Sequence, residues 1–216
     1  LIDRLYLVGG GGFGLSHEFD CNVYAIDIGD GLVMIDSGAG LGVDDILANL
    51  ARDGLDVEAK PVRWLFLTHS HADHAGGAHL LRQFFDCEVA MGEQEAHLVE
   101  HGDEVDLKLD IAKRSGFYSP DYVFHNCQVT VRVRHDDIFE CGELKIRALN
   151  VPSHSPGSIC YLVEFDFGKA LFTGDVVFPE GVIGLLNCEG SSLKGYRESL
   201  PLLKDLGVEL LLPGHR

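Results

Sequence analysis

Basic residues are scarce in this chain of 216 residues: 17 Lys and Arg stand against 34 Asp and Glu, a formal net charge of −17. So acidic a surface repels phosphate backbones as a whole, which argues against a general nucleic-acid binder, although bound cations would reverse the sign locally. The six cysteines, Cys21, Cys87, Cys127, Cys141, Cys160 and Cys188, include no C-x-x-C pair. A chain of this length needs no covalent staples, so reduced and mostly buried thiols are expected. No apolar run reaches membrane-spanning length and no signal peptide is legible, so the expected setting is cytoplasmic with no membrane partner. The sequence begins at Leu1, which leaves room for a natural start upstream. No Ser/His/Asp or Cys/His arrangement stands out as a nucleophile; Cys188 is an outside candidate.

Against these absences stands one dense stretch, Thr68-His69-Ser70-His71-Ala72-Asp73-His74-Ala75-Gly76-Gly77. It follows the apolar run 62–68, which reads as a buried strand, and precedes Ala75–Phe85, which reads as a helix. Side chains two apart in extended chain share a face, so His69 and His71 are placed to grip one ion together. Asp73 and His74, where the chain turns into helix, project differently and suit a second ion. A merely solvated polar loop is the bland alternative, and the strand-to-helix context disfavours it.

Hydrophobic residues make up 46% of the chain, enough for one core, and residues 1–216 are expected to form a single domain. Leu5–Val8 reads as a strand. Glycines 9, 11 and 14 match G-x-G-x-x-G, but the next segment, Cys21–Ile28, alternates like a strand where a dinucleotide fingerprint needs a helix, and no G-K-[ST] follows. A mobile hairpin loop is the expected reading. Leu32–Ile35 is a further strand ending at Asp36, which either caps the turn or orients metal-bound imidazoles from behind. Asp44–Arg52 reads as an amphipathic helix and Glu88–Met91 as a strand.

Residues 92–125 form a charged, loosely helical insertion ending in Phe117, Tyr118, Tyr122 and Phe124. It either roofs a substrate cleft or packs these aromatics on the core. His97, His101, His125 and His135 there lack ligand spacing. Strands return at 144–150, 158–164 and 170–173, a helix at 193–206 and a strand at 208–212. The repeated order of strands and helices suggests an α/β (α+β) sandwich of two sheets with helices outside.

His69, His71, Asp73, His74, His154, Asp175 and His215 all fall at ends of expected strands, giving five imidazoles and two carboxylates, enough for two ions. Such nitrogen and oxygen ligands without sulfur suit catalytic zinc, iron or manganese. The chain here resembles the metallo-β-lactamase-fold hydrolases over nearly its full length, most closely the glyoxalase II-like branch. The motifs in order are Ile35-Asp36-Ser37-Gly38, Thr68 to Gly77, Pro152 to Ser158, Thr173-Gly174-Asp175 and Leu212-Pro213-Gly214-His215.

The resemblance implies a four-layer αββα sandwich with two mixed β-sheets and helices on the outer faces. It implies two divalent metal ions, zinc before iron or manganese. His69, His71 and His154 would hold one, Asp73, His74 and His215 the other, and Asp175 would bridge them. Asp36 would then support the ligands from behind. Two such cations lower the pKa of a shared water and polarise a substrate oxygen, with Asp73 as proton acceptor.

The expected activity is hydrolysis of a small ester, thioester, lactone or phosphodiester. Asp175 stands where several true metallo-β-lactamases carry cysteine, which counts against a β-lactam hydrolase. Phe178 stands where similar lactonases carry tyrosine. Glyoxalase II proper adds a helical domain beyond the position of His215, so glutathione thioesters are not preferred. The alternatives are a mononuclear iron persulfide dioxygenase, similar in ligand positions, and a non-catalytic binding protein.

Overall fold

The structure, a computed structural model, describes residues 2–215. Eleven strands are distributed over two sheets among the described residues. The first sheet runs in chain order: β1 (Leu5–Gly9), β2 (Val23–Asp27), β3 (Leu32–Ile35), β4 (Val62–Leu67), β5 (Glu88–Gly92) and β6 (Val131–Val133). Its first three strands are antiparallel and the pairs from β3 onward are parallel. The second sheet contains β7 (Ile138–Cys141), β8 (Leu144–Asn150), β9 (Ile159–Phe165), β10 (Gly168–Gly174) and β11 (Val208–Pro213). It is an antiparallel meander closed by one parallel pair, β10 with β11. Both sheets are mixed, as expected.

The period of two along each strand sorts the apolar residues into three cores. Val33, Ile35 and Phe66 face inward and meet Ile146, Tyr161, Val163 and Phe172 of the second sheet. Leu32, Met34 and Leu65 face outward onto α1 (Val43–Arg52) through Ile46 and Leu50, and onto Leu81, Ala96 and Val99. Cys160, Leu162 and Leu171 on the far face of the second sheet pack against Tyr196, Leu200 and Leu203. Three cores between four layers make the αββα sandwich.

Four details depart from the sequence reading. The helix expected over 75–85 is two helices, α2 (Ala72–Ala75) and α3 (Ala78–Phe85), broken at Gly76-Gly77. The ladder is interrupted because Gly77 N donates to Gly38 O (2.9 Å) instead of back along the helix, and a Cβ on Gly77 would lie 2.1 Å from the Ser37 carbonyl oxygen, so only glycine fits this approach. The helix expected over 193–206 ends as α6 (Leu193–Ser199) and continues as a 3₁₀ turn, because Pro201 has no N–H for the next helical bond. The glycine loop joins β1 and β2 as a hairpin, but it is tied rather than loose: Gly10 N donates to Ser16 Oγ (3.0 Å) and Gly11 N to Asp20 O (3.0 Å). The three-residue strand β6 was not anticipated.

The insertion holds two short helices, α4 (Ala96–His101) and α5 (Leu109–Arg114). Tyr118, Tyr122 and Phe124 are buried in the outer core of the first sheet, while Phe117 stays exposed.

Candidate metal centre

The ligand candidates gather at one end of the sandwich, because every one of them follows a strand or sits in a turn between strands. β4 delivers His69, and His71 is still extended (φ −60°, ψ 147°) as the residue capping α2. Asp73 and His74 lie on the first turn of α2, so their side chains leave at a different angle, as expected from the change in backbone. His154 comes from the turn between β8 and β9, Asp175 follows β10, and His215 follows β11.

All seven meet. His71 Nδ1 is 3.0 Å from both His69 Nε2 and His154 Nε2. Asp73 Oδ2 is 3.0 Å from His215 Nε2 and 3.6 Å from His74 Nε2. Asp175 stands between the two groups: Oδ1 is 3.3 Å from His74 Nε2, and Oδ2 is 3.6 Å from His215 Nε2 and 3.8 Å from His154 Nε2.

Hydrogen bonds on the far side of the rings set which nitrogen carries the proton. His154 Nδ1 donates to the Gly184 carbonyl (2.5 Å), which leaves Nε2 as a lone pair aimed inward. His74 Nδ1 donates to Asp36 Oδ2 (2.8 Å), which leaves His74 Nε2 as a lone pair too. The Thr68 hydroxyl donates to Asp36 (2.9 Å to Oδ2) and accepts from His69 Nδ1 (3.0 Å), with the same result for His69. The lone pairs of His69 Nε2 and His154 Nε2 therefore converge on His71 Nδ1, 3.0 Å from each. His74 Nε2 and Asp175 Oδ1 are buried without any hydrogen bond among the described residues. Converging lone pairs and orphaned buried acceptors are costly unless a cation lies among them, so the donor set fits divalent ions.

Electrostatics agree. Burial and His71 push His154 down to about 4, and burial with the surrounding imidazoles holds His69 well below the ordinary range, so both rings are neutral. Burial would also lower His74, but Cys21, Asp175, Asp36 and Asp73 outweigh it and hold that ring well above the ordinary range. The negative potential that would draw a proton to His74 Nε2 is the potential that would draw a metal there. Burial opposes ionisation of Asp73, yet His74 and His215 overcome it and keep the carboxylate charged. The Cys21 thiol lies close to Asp36 and His74. Burial pushes it up to about 12.

The sequence model of the metallo-beta-lactamase superfamily matches residues 18–215. The chain belongs to the metallo-beta-lactamase superfamily. Its expected class, a metal-dependent hydrolase, stands with that membership. Among superfamily relatives, the chain is 32% identical to the acyl-coenzyme A thioesterase MBLAC2 of Bos taurus, over 90% of this chain and 72% of the relative. It is 26% identical to the atrochrysone carboxyl ACP thioesterase of Aspergillus fumigatus, over 100% of this chain but 56% of that one. The hydroxyacylglutathione hydrolase of Rhodopseudomonas palustris is 31% identical over 68% of this chain and 46% of its own length. In fold, the superfamily's subclass B3 metallo-beta-lactamase BJP-1 of Bradyrhizobium japonicum superposes with a TM-score of 0.76 at 25% identity, covering 100% of this chain and 76% of that one.

Some supporting residues were not visible in the sequence. Glu95 is buried, and its carboxylate accepts from Ser70 N (3.0 Å) and Gly157 N (2.9 Å), tying the loop of His69 and His71 to the loop of His154. No spacing rule marks a glutamate at the start of an insertion. Asn22 Nδ2 and Tyr24 Oη both donate to the Pro213 carbonyl (3.0 and 2.8 Å), which fixes the turn that presents His215.

Proposed function

We propose that this chain hydrolyses thioesters or closely related esters of small molecules at a two-metal centre. His69, His71 and His154 would hold one ion and Asp73, His74 and His215 the other, with Asp175 shared. The observation that carries this reading is the pair of abutting ligand sets with Asp175 between them, at the base of an open cleft of about 530 Å³. Two divalent ions, zinc in the first instance, would supply Lewis acidity there, enough to bring the pKa of a water toward neutrality and to polarise a carbonyl oxygen. Asp73 lines the cleft and stays ionised because His74 and His215 flank it. A carboxylate so stabilised is a weak base, and it accepts a proton only from a water already made acidic. Asp36 and Thr68 orient His74 and His69 and hold their tautomers. The names of the thioesterase relatives support the thioester class over lactone or phosphodiester.

Residues 1–216 act, in this reading, as one domain, supported by the inner core that both sheets share. A cytoplasmic setting is supported by six free cysteines, and no helix among the described residues is long and apolar enough to cross a membrane. The test is metal analysis of purified protein followed by a panel of chromogenic thioesters, esters, lactones and phosphodiesters. Two equivalents of zinc with thioester turnover are expected. One iron with oxygen uptake on a persulfide would replace the hydrolase with a dioxygenase. His71→Ala and Asp175→Ala should each lose metal and rate; full retention of both by either variant would overturn the site.

A further inference from the structure

Two cavities adjoin at His71 and His154. The first is the cleft of about 530 Å³, whose wall beneath α5 is mainly apolar, with Leu109, Ile111, Ala112, Phe117 and Leu186. Asp73, Asp175 and His215 open onto this cavity as well. The second, about 350 Å³, is lined by polar and apolar surface in nearly equal parts, more polar than the first, and its polar groups include Ser70, Gln94, His97, Asp106 and Glu189. Leu107, Lys108 and Cys188 line both and so form the partition. Lys108 Nζ lies 3.6 Å from Glu189 Oε2, an ion pair between the insertion and the loop after β10.

We propose that the two cavities are the two arms of a thioester site, the apolar one taking the acyl chain and the polar one a neutral, amide-bearing thiol arm. The inference rests on the thioester reading above and goes beyond it by assigning each side of the scissile bond. Three observations carry it. The carbonyl of a thioester held over His71 and His154 has a group on either side, and the protein leaves space on either side. Ile111, Phe117 and Leu186 are 50%, 55% and 42% exposed around the apolar cavity, a cluster of large apolar surface that an alkyl chain would cover. The polar cavity offers acceptors in Asp106 and Glu189, a donor in Lys108 and both in Gln94, the complement of an amide N–H and C=O. Its carboxylates disfavour a phosphate close to the partition, so an anionic end of the thiol carrier would stay outside.

In the reaction, water adds to the carbonyl carbon and the C–S bond breaks. The acyl group becomes a carboxylate in the apolar arm. One water proton reaches the thiolate sulfur in the polar arm and the other goes to solvent.

The test uses the zinc-loaded protein and N-acetylcysteamine thioesters from acetyl to decanoyl, with calorimetric binding of the matching thioethers, which cannot be hydrolysed. Both kcat/KM and thioether affinity should rise about fourfold per added methylene until the cavity is full. Ile111→Ser combined with Leu186→Ser should flatten the long end of both series and spare the acetyl compound. Gln94→Ala combined with His97→Ala should weaken N-acetylcysteamine thioesters relative to S-ethyl thioesters and leave the chain-length slope in place. All four positions are exposed, so the variants should fold. A flat acyl series, or an unaltered slope in the Ile111 and Leu186 variant, overturns the assignment even where thioesters are cleaved. Turnover of esters but of no thioester overturns the underlying reading instead, and the thioether series then decides separately whether an alkyl chain occupies the cavity.

Discussion

Replacing Asp36 with asparagine should disable one metal set while leaving the backbone in place. Asp36 has φ +62°, a conformation that asparagine tolerates as aspartate does, so Asp36→Asn introduces no new strain. The side-chain oxygen that accepts from Thr68 N at 2.8 Å must remain an oxygen, because a donor faces it. The new amide nitrogen then falls where Oδ2 was, 2.8 Å from His74 Nδ1. Two donors cannot face each other, so the His74 proton moves from Nδ1 to Nε2, and the nitrogen meant for the metal loses its lone pair. Loss of a partner of this kind lowers metal affinity about 10- to 100-fold, or about 1.4–2.7 kcal/mol. The Thr68 hydroxyl keeps an acceptor in Oδ1 (3.1 Å) and still accepts from His69 Nδ1, so zinc titration against a competing chelator should show one weakened equivalent, while the His69, His71 and His154 set keeps its ion. Two equivalents bound with wild-type affinity would refute both the tautomer argument and the role given to Asp36.

Gly214→Ala should also lower metal affinity without touching a ligand, since a Cβ there would lie 2.5 Å from both Asp175 Oδ1 and His74 Cε1; equilibrium dialysis against zinc checks it. Glu95→Gln keeps one acceptor for two buried N–H donors and turns its amide N–H₂ toward the other. Urea unfolding of the metal-free protein should fall by about 1–3 kcal/mol. Tyr118→Phe removes a buried hydroxyl that has no partner among the described residues. Its unfolding midpoint should stay level or rise, and a loss above about 1 kcal/mol would mean that the hydroxyl is satisfied.

The convergence of the candidate site was legible because its residues carry chemistry in tight local patterns. His69, His71, Asp73 and His74 announce themselves by spacing, and His154, Asp175 and His215 by their turns at strand ends once the first four are known. Strand assignments held because β3, β4 and β9 are mostly apolar runs of four to seven residues with few competing readings. What failed was decided by distant contacts. The break at Gly76-Gly77 depends on the Ser37 carbonyl about 40 residues earlier in the chain, and nothing local separates such a glycine pair from a tolerated one. β6 is three residues long and acquires its strand character from pairing with β5. Glu95 matters only because Ser70 and Gly157 turn their N–H groups toward it, a fact of tertiary structure that no window of sequence contains.

The two halves of the centre come from different sheets, so its precision depends on how the sheets dock. His69, His71, Asp73 and His74 follow β4 of the first sheet, whereas His154, Asp175 and His215 belong to turns of the second. Hydrophobic packing between the sheets is strong but tolerant of small slips, and a ligand set is not. Directional bonds close that gap. Tyr24, on the first sheet, donates to the Pro213 carbonyl beside His215, and Tyr161, on the second, donates to the Leu67 carbonyl just before His69 (2.8 and 2.9 Å). Backbone bonds from Asn22 N to Gly214 O (2.7 Å) and from Ile159 N to Thr68 O (2.9 Å) cross the same seam. Each phenol has its ring in the shared core and its hydroxyl at the metal end. The residues that drive the sheets together therefore also fix their register where the candidate ligands meet, and the carboxylates of Asp73 and Asp175 are held close against their mutual repulsion.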